Sequence, residues 1–474
     1  MEHFESLYPA NTREREIAKI LAFIKEGNSC QVISLPGGGR SNLLGLLTYN
    51  RNVRLKHLGE NQKWFHFVLS NFAEVRKRSL FDTTKFLFLT LIASLRERGT
   101  TELHQKTSEI FKKSLSFDDE LVLFQGLKRT IDLLAIEKEL TVVFLFDRFE
   151  DYIPTVTPEF FTNLRVLRDR AKYRFSVVFS THKPLEDLIG QDLLYDFYQF
   201  VAGHTVYLPL LDKPGLDFRI SYMEKVSGKK LEKEIIDAII KVTAGHPNLT
   251  RLSVEAALES NQQLATSSQG LIQFYLEQKP MRAALFDIWK SLSPSEQKIL
   301  EKSTGGTGGK APDSAHAFGS EGETSGALAG GKPVTGPVGD YYLNSVGLIK
   351  DSKITIPILE QFIKKEVAQT LPLTKQKIAF DPNTHDITKG DLILSGTLTS
   401  SEFKLLRFLL QNSQRIVERE EIINTVWANT KSTAGVTDQA LDQLIFRVRK
   451  KVEDDPNKPE HLQTVKGRGF RFTP

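Results

Sequence analysis

The stretch Gln439-Ala-Leu-Asp-Gln-Leu-Ile-Phe-Arg-Val-Arg-Lys-Lys451, with His461-Leu-Gln-Thr-Val-Lys-Gly-Arg-Gly-Phe-Arg-Phe472 after it, decides how the last hundred residues fold. In the first segment Leu441, Leu444, Ile445 and Val448 recur at i, i+3, i+4 and i+7, so a helix buries one face. Gln439, Gln443, Arg447, Lys450 and Lys451 are left for another face, with Arg449 beside it. A helix packed on one side and carrying amides and cations on the other suits a DNA major groove. There arginine can meet guanine and glutamine can meet adenine. In the second segment a tight turn at Gly467–Gly469 joins two strands into a wing, from which Lys466 and Arg468 can reach phosphates or the minor groove.

Working upstream, Leu398-Thr-Ser-Ser-Glu402 opens a helix with Thr399 as cap and Glu402 three residues on. Phe403, Leu405, Leu406, Leu409 and Leu410 form its apolar stripe. Ile416-Val417 then crosses to a second helix over 419–427. Short β-like pieces at 377–380, 385–388 and 392–395 precede all of this, separated by polar turns.

Residues 376–473 resemble the winged helix-turn-helix DNA-binding domain of the OmpR/PhoB type. The resemblance is carried by Leu398-Thr-x-x-Glu402, Glu420-Glu-Ile-Ile, Val426-Trp427, Leu441-Asp442, Val448-Arg-Lys-Lys451 and Thr464-Val-Lys-Gly-Arg-Gly-Phe-Arg-Phe472. It implies a four-stranded N-terminal sheet, three helices and a C-terminal hairpin. It also implies DNA contacts at Gln439, Gln443, Arg447, Arg449, Thr464 and Lys466, to which Lys450 and Arg468 are added from their places on the helix and wing. Two positions that are often polar in that family are Leu444 and Phe446 here, which implies a base preference of its own. A winged helix used only for protein contacts is the competing reading.

The first 210 residues alternate strand and helix patterns. Continuous apolar strands at 30–34, 64–69, 140–146 and 175–180, then 205–208, argue for a parallel sheet covered on both faces. The first strand runs into Ser34-Leu-Pro-Gly-Gly-Gly-Arg-Ser41 and then the helix opening Asn42-Leu-Leu. Turn amides and a helix N-terminus can converge there on an anion. Against the usual Gly-x-x-x-x-Gly-Lys-Ser/Thr string, Ser34 replaces the first glycine and Arg40 the lysine, while Gly39 and Ser41 keep their places. Pro36, Gly37, Gly38, Gly39, Arg40, Ser41 and Asn42 are the expected nucleotide contacts. Asp147 at the end of the 140–146 strand, with Ser41, is the expected magnesium pair. Glu150 and the strand-end Thr181 are candidate catalytic groups. Arg148 stands where an adjacent acid is expected, which places binding above turnover and leaves enzymatic activity, at most a weak ATPase, open. A glycine turn without a ligand is the competing reading of the loop.

This order, with Ala244-Gly-His-Pro-Asn-Leu249 in the helical region after the sheet, resembles the STAND and archaeal-type AAA-related P-loop ATPases over about 5–370. The resemblance implies nucleotide contacts from Gly245 and Pro247 of a Gly-x-Pro motif, and from Arg13 in the opening Asn11-Thr-Arg-Glu-Arg-Glu16 box. The expected fold class is α/β. It comprises a P-loop NTPase parallel sheet (1–210) with a helical lid (211–282), a middle winged-helix module (283–370), and the C-terminal winged helix-turn-helix domain (376–474). ATP or ADP with Mg2+ are the implied cofactors.

Eleven of the 31 glycines fall between Ser303 and Asp340, in a stretch with few large apolar residues, read as a flexible insertion in the middle module. The single cysteine, Cys30, excludes an internal disulfide and fits a reducing compartment. The N-terminus is acidic and mixed, unlike a signal peptide, and no apolar run is long enough to span a membrane. The net charge of +5 is a weak indicator of nucleic acid until its location is known. The function expected is a nucleotide-gated, sequence-specific DNA-binding transcriptional regulator of STAND type, cytoplasmic and nucleoid-associated. Its expected partners are double-stranded DNA, further copies of the chain and RNA polymerase. The alternatives are a DNA-stimulated ATPase in genome defence or replication, and a nucleotide-sensing scaffold whose winged helices bind proteins.

Overall fold

The computed structural model describes residues 3–260, 267–304 and 338–367, and 378–474 except 383, 385, 390–391, 396–397, 414, 429–437, 454–458 and 466. The chain divides into two compact units, Met1–Ala368 and Gln369–Pro474. The glycine-rich insertion, but for its ends, lies outside the described residues, as does Lys466.

The first unit is built on five strands: β1 (Cys30–Ile33), β2 (Phe65–Asn71), β3 (Thr141–Asp147), β4 (Phe175–Thr181) and β5 (Thr205–Tyr207). They form one sheet in the order β2-β3-β4-β1-β5, and every neighbour pair is parallel. The seven residues of β4 are all buried, as parallel strands covered on both faces must be. Alternation sorts β3 into two cores. Val142, Phe144 and Phe146 face a phenylalanine-rich cluster with Phe72, Phe149, Phe160 and Phe179. Val143 and Leu145 face a second cluster with Ile17, Ile20, Leu43 and Leu46. β1 lies between β4 and β5, so the loop leaving β1 opens at the carboxyl edge of the sheet. Asp147 and Thr181 end their strands at the same edge, with Thr181 paired to Ile33 in register.

Helices Lys213–Ser227, Lys233–Thr243, Pro247–Glu259 and Ser268–Leu276 follow the sheet. Next come Lys279–Lys290, Pro294–Thr304 and Val338–Ser345, the hairpin β6 (Ile349–Lys350) and β7 (Lys353–Ile354), and Pro357–Phe362. All of this shares one core, which runs from Leu216 and Ile239 through Trp289 to Ile358 and Phe362.

The glycine loop after β1 is held by close contacts within the first unit. Gly37 and Gly39 have φ of +75° and +94°. A Cβ at Gly37 would lie 2.7 Å from Asn248 Cβ, and one at Gly38 would lie 2.6 Å from Ser34 Oγ. The glycines therefore let the loop pack under the Pro247–Glu259 helix and over its own strand end. Asn248 N–H donates to Gly37 O at 3.2 Å and His246 Nε2 to Pro36 O at 3.1 Å. Close packing thus requires glycine at positions 37 and 38, and at 39 the positive φ favours it.

The second unit begins with the antiparallel strands β8 (Ile378–Phe380), β9 (Ile387–Lys389) and β10 (Leu392–Ile393), three strands among the described residues where four are implied by resemblance. Helices Ser400–Gln411, Arg419–Val426 and Asp438–Val452 come next. β11 (Ile416–Val417), β12 (Leu462–Val465) and β13 (Gly469–Phe472) close a second sheet in the order β11-β13-β12. The crossing at Ile416-Val417 is thus a strand that pairs antiparallel with β13. Gly469 is required here: its φ is +125°, and a Cβ would fall 2.1 Å from Val417 O. The core of this unit joins Leu405, Leu406 and Leu409 to Leu441, Leu444, Ile445 and Val448, with Phe470 and Phe472 of the wing.

Candidate nucleic-acid interface

The Asp438–Val452 helix owes its orientation to its apolar period. Leu441, Leu444, Ile445, Val448 and Val452 are at most 2% exposed. At 100° per residue they converge on one side, and Gln439, Gln443, Phe446 and Lys450 fall on the side directly opposite. All four are exposed, and no hydrogen bond engages either glutamine amide among the described residues. Arg447 and Arg449 occupy the two flanks, and the structure gives each a partner. Arg447 Nε lies 3.4 Å from Glu402 Oε1. Arg449 donates to Leu462 O at 2.9 Å and to Thr464 Oγ1 at 2.8 Å, so it ties the helix to the wing.

Two devices that sequence reasoning missed hold the helix in place. Glu402 is only 2% exposed. It completes the capping box of the Ser400–Gln411 helix and accepts from Lys451 Nζ at 2.6 Å. Burial would raise its pKa, but the bonds from Lys451 and Thr399 prevail and hold it below the ordinary value. Arg419 pairs with Asp438 and Asp442, each at 2.8 Å, and lies over the Phe470 ring. The signal for Glu402 was present in the capping box. The partners of Arg419 lie 19 and 23 residues away and leave no local signature.

Arg468 is exposed at the hairpin tip beside Gly467, whose φ is +73°. The structure thus brings Thr464 together with Arg449, and sets Gln439, Gln443 and Lys450 on one stripe. Leu444 is fully buried and cannot touch DNA.

In the first unit, Arg13, Gly37, Gly38, Gly39, Arg40, Ser41, Asn42, Gly245 and Pro247 line one cleft of about 260 Å³, with Pro36 in the same loop. Asp147 is 7% exposed and sits beside Ser41. Its pKa is raised, because burial outweighs the Ser41 hydrogen bond and the Arg40 charge. Among the described residues every arginine of this cleft already has a protein partner. Arg13 donates to Pro209 O and Gly38 O. Arg40 pairs with Glu150 at 2.6 Å. Arg219 reaches Tyr8 Oη, and Arg251 reaches Glu255 and Asn248. Among the described residues Arg40 Nη1 is buried with no hydrogen-bond partner, while its Nη2 is held by Glu150. Burial would raise Glu150, but the His182 hydrogen bond and the Arg40 charge take it down to about 2, which makes it a poor proton acceptor at neutral pH. Thr181 Oγ1 donates to Lys183 O at 2.6 Å and caps the strand end. No group of three or more His, Cys, Asp or Glu side chains suited to a metal occurs among the described residues.

Comparison with known proteins locates the similarity. The model of the family "Transcriptional regulatory protein, C terminal" matches residues 395–472. The phosphate regulon transcriptional regulatory protein PhoB of Klebsiella pneumoniae is 35% identical over 98 residues, which are 21% of this chain and 40% of that protein. The sensory transduction protein RegX3 of Mycobacterium bovis is 38% identical over 96 residues, 20% of this chain and 40% of that protein. The chain thus spans well under two thirds of the length of the curated relatives it matches. Among solved structures, the Walker-type ATPase of Pyrococcus abyssi aligns at a TM-score of 0.45 with 14% identity, over 77% of this chain and 97% of that one. That likeness is too distant to bear on function.

These findings correct the resemblance drawn for residues 5–370. The family and relatives that match are transcriptional and sensory-transduction regulators, matched through an OmpR/PhoB-type domain. The STAND/AAA-related assignment, the P-loop NTPase class and nucleotide gating are therefore set aside. What stands is a parallel α/β unit followed by a winged-helix unit that the family model "Transcriptional regulatory protein, C terminal" matches over residues 395–472.

Proposed function

We propose that this chain is a sequence-specific DNA-binding transcriptional regulator that reads duplex DNA through its C-terminal winged helix. One observation carries the reading: Gln439, Gln443 and Lys450 stand with Phe446 on a helix face that points directly away from the core. A recognition helix needs such a face, because base edges are read by side chains not already bonded within the protein. Arg447 and Arg468 add positive charge at the helix flank and the wing tip, where phosphate contacts fix register. The similarity to PhoB and RegX3 over the same residues supports the reading.

Such a regulator works on the nucleoid in the cytoplasm. No helix among the described residues is long and apolar enough to cross a membrane. Self-association on repeated half-sites and contact with RNA polymerase are finer parts of the same proposal, tested by sedimentation of the DNA complex and by transcription in vitro. The direct test is fluorescence anisotropy of the full chain on a selected duplex and on a scrambled one, across a salt series. The reading requires tight binding to the selected duplex and a falling log K with log salt. Equal affinity for both duplexes refutes it.

A further inference from the structure

Of the residues on the outward stripe, Phe446 is the one that solvent exposure penalises. It is 43% exposed on a helix whose other large apolar residues are buried. It stands at i+3 from Gln443 and i+7 from Gln439, with Lys450 Nζ 4.9 Å from its ring centroid. The core face of this helix is complete without it, since Leu441, Leu444, Ile445, Val448 and Val452 already fill that side.

We infer that Phe446 is a specificity-determining residue that reads the C5-methyl group of a thymine in the major groove. The inference rests on the DNA-binding reading above. In the major groove an A·T pair offers an acceptor and donor edge on adenine and a methyl group on thymine. The same stripe carries the matching set, with amides at Gln439 and Gln443 for adenine and an apolar ring at Phe446 for the methyl. Lys450, whose ammonium lies beside the ring, is placed to meet the phosphate flanking that thymine. An arginine or lysine at position 446 would instead seek guanine. This chain is therefore expected to favour a thymine within one base pair of the adenine that Gln443 reads.

The experiment uses the full chain and a duplex obtained by selection from a random pool. Each thymine of the core site is replaced in turn by uracil, which removes only the methyl. At one position the wild-type affinity should fall about threefold to tenfold, the worth of one buried methyl to methylene-sized group. The Phe446→Ala protein should bind thymine and uracil duplexes equally, and Phe446→Leu should keep part of the difference. Because Phe446 lies outside the core, amide exchange of the 438–452 helix should match wild type in both variants. Selected DNA that binds equally well with uracil at every position overturns the inference, as does a Phe446→Ala protein with undiminished discrimination. Failure of the wild-type chain to select any duplex removes the DNA-binding reading itself, and is seen before any uracil is introduced.

Discussion

Lys183 and Glu296 form the most deeply buried ion pair described in the first unit, and replacing Lys183 by methionine should destabilise that unit severely. The side chains are 10% and 7% exposed. Lys183 Nζ meets both carboxylate oxygens at 2.5 Å and sits 3.2 Å from the centroid of the Tyr342 ring. Tyr342 Oη in turn donates to His182 O at 2.7 Å. The pair thus joins the segment after β4 to the Pro294–Thr304 helix, where Glu296 also accepts from Ser293 N at 2.8 Å. Lys183→Met leaves the Glu296 charge buried without its counter-ion, a loss of about 3–5 kcal/mol. Glu296→Leu strands Lys183 in the same way and removes the carboxylate's bond to Ser293 N–H, worth about 1 kcal/mol more. The double variant replaces both charges with apolar groups. It should cost at least about 3 kcal/mol less than the sum of the singles. Urea unfolding read by Trp289, only 7% exposed, measures each corner of the cycle in a Trp64→Phe, Trp427→Phe background. Additive costs, or singles below about 1 kcal/mol, would show that the pair behaves as a solvated surface bridge and would refute the reasoning.

Gln443→Ala should lose about 1–3 kcal/mol of discrimination at one base pair while binding to unrelated DNA stays unchanged, as read by competition anisotropy. Arg449→Ala frees the wing from the helix, so amide exchange across Leu462–Val465 should quicken and affinity should fall, even though the guanidinium is tied to Thr464 and Leu462. His66 and His246 are pushed down to about 3 and about 4, first by burial. Both are neutral when folded and take up protons on unfolding below about pH 6.5. Stability is therefore complete above that value and lost as pH falls toward 4, by about 2 kcal/mol per histidine at pH 5. Chemical denaturation at pH 7 and pH 5 checks this, and equal midpoints would contradict it. Burial alone raises the Cys30 thiol. It should resist a thiol reagent in the native chain and react at once in urea.

The C-terminal unit was the most legible part of the sequence because its signals are local. The 3.6-residue period at Leu441, Leu444, Ile445 and Val448, the Thr399–Glu402 box and the Gly467–Gly469 turn each lie within a few residues. The parallel strands were legible for the same reason, since seven consecutive buried residues need no partner to be noticed. What escaped depends on distance along the chain. Ile416-Val417 is too short to read as a strand until β13 lies beside it. Arg449 reads as a groove cation until Thr464 is seen to hold it. In the first unit Arg40 and Glu150 lie 110 residues apart, and Arg13 and Asp212 199. The glycine loop therefore read as an anion cradle to which Arg13 and Arg40 bring their guanidinium groups. The pairs that engage those groups, and the packing of Gly37 against Asn248, could not be inferred from the string around Ser34–Ser41.

Selection of duplexes from a random pool by the full chain, compared with a Gln439→Ala, Gln443→Ala double variant, bears most directly on the outward helix face as a DNA reader. Wild type should enrich one motif containing an A·T pair, and the double variant should lose that motif while keeping weak, salt-sensitive binding. No enrichment by the wild type, or the same motif recovered by both proteins, would contradict it.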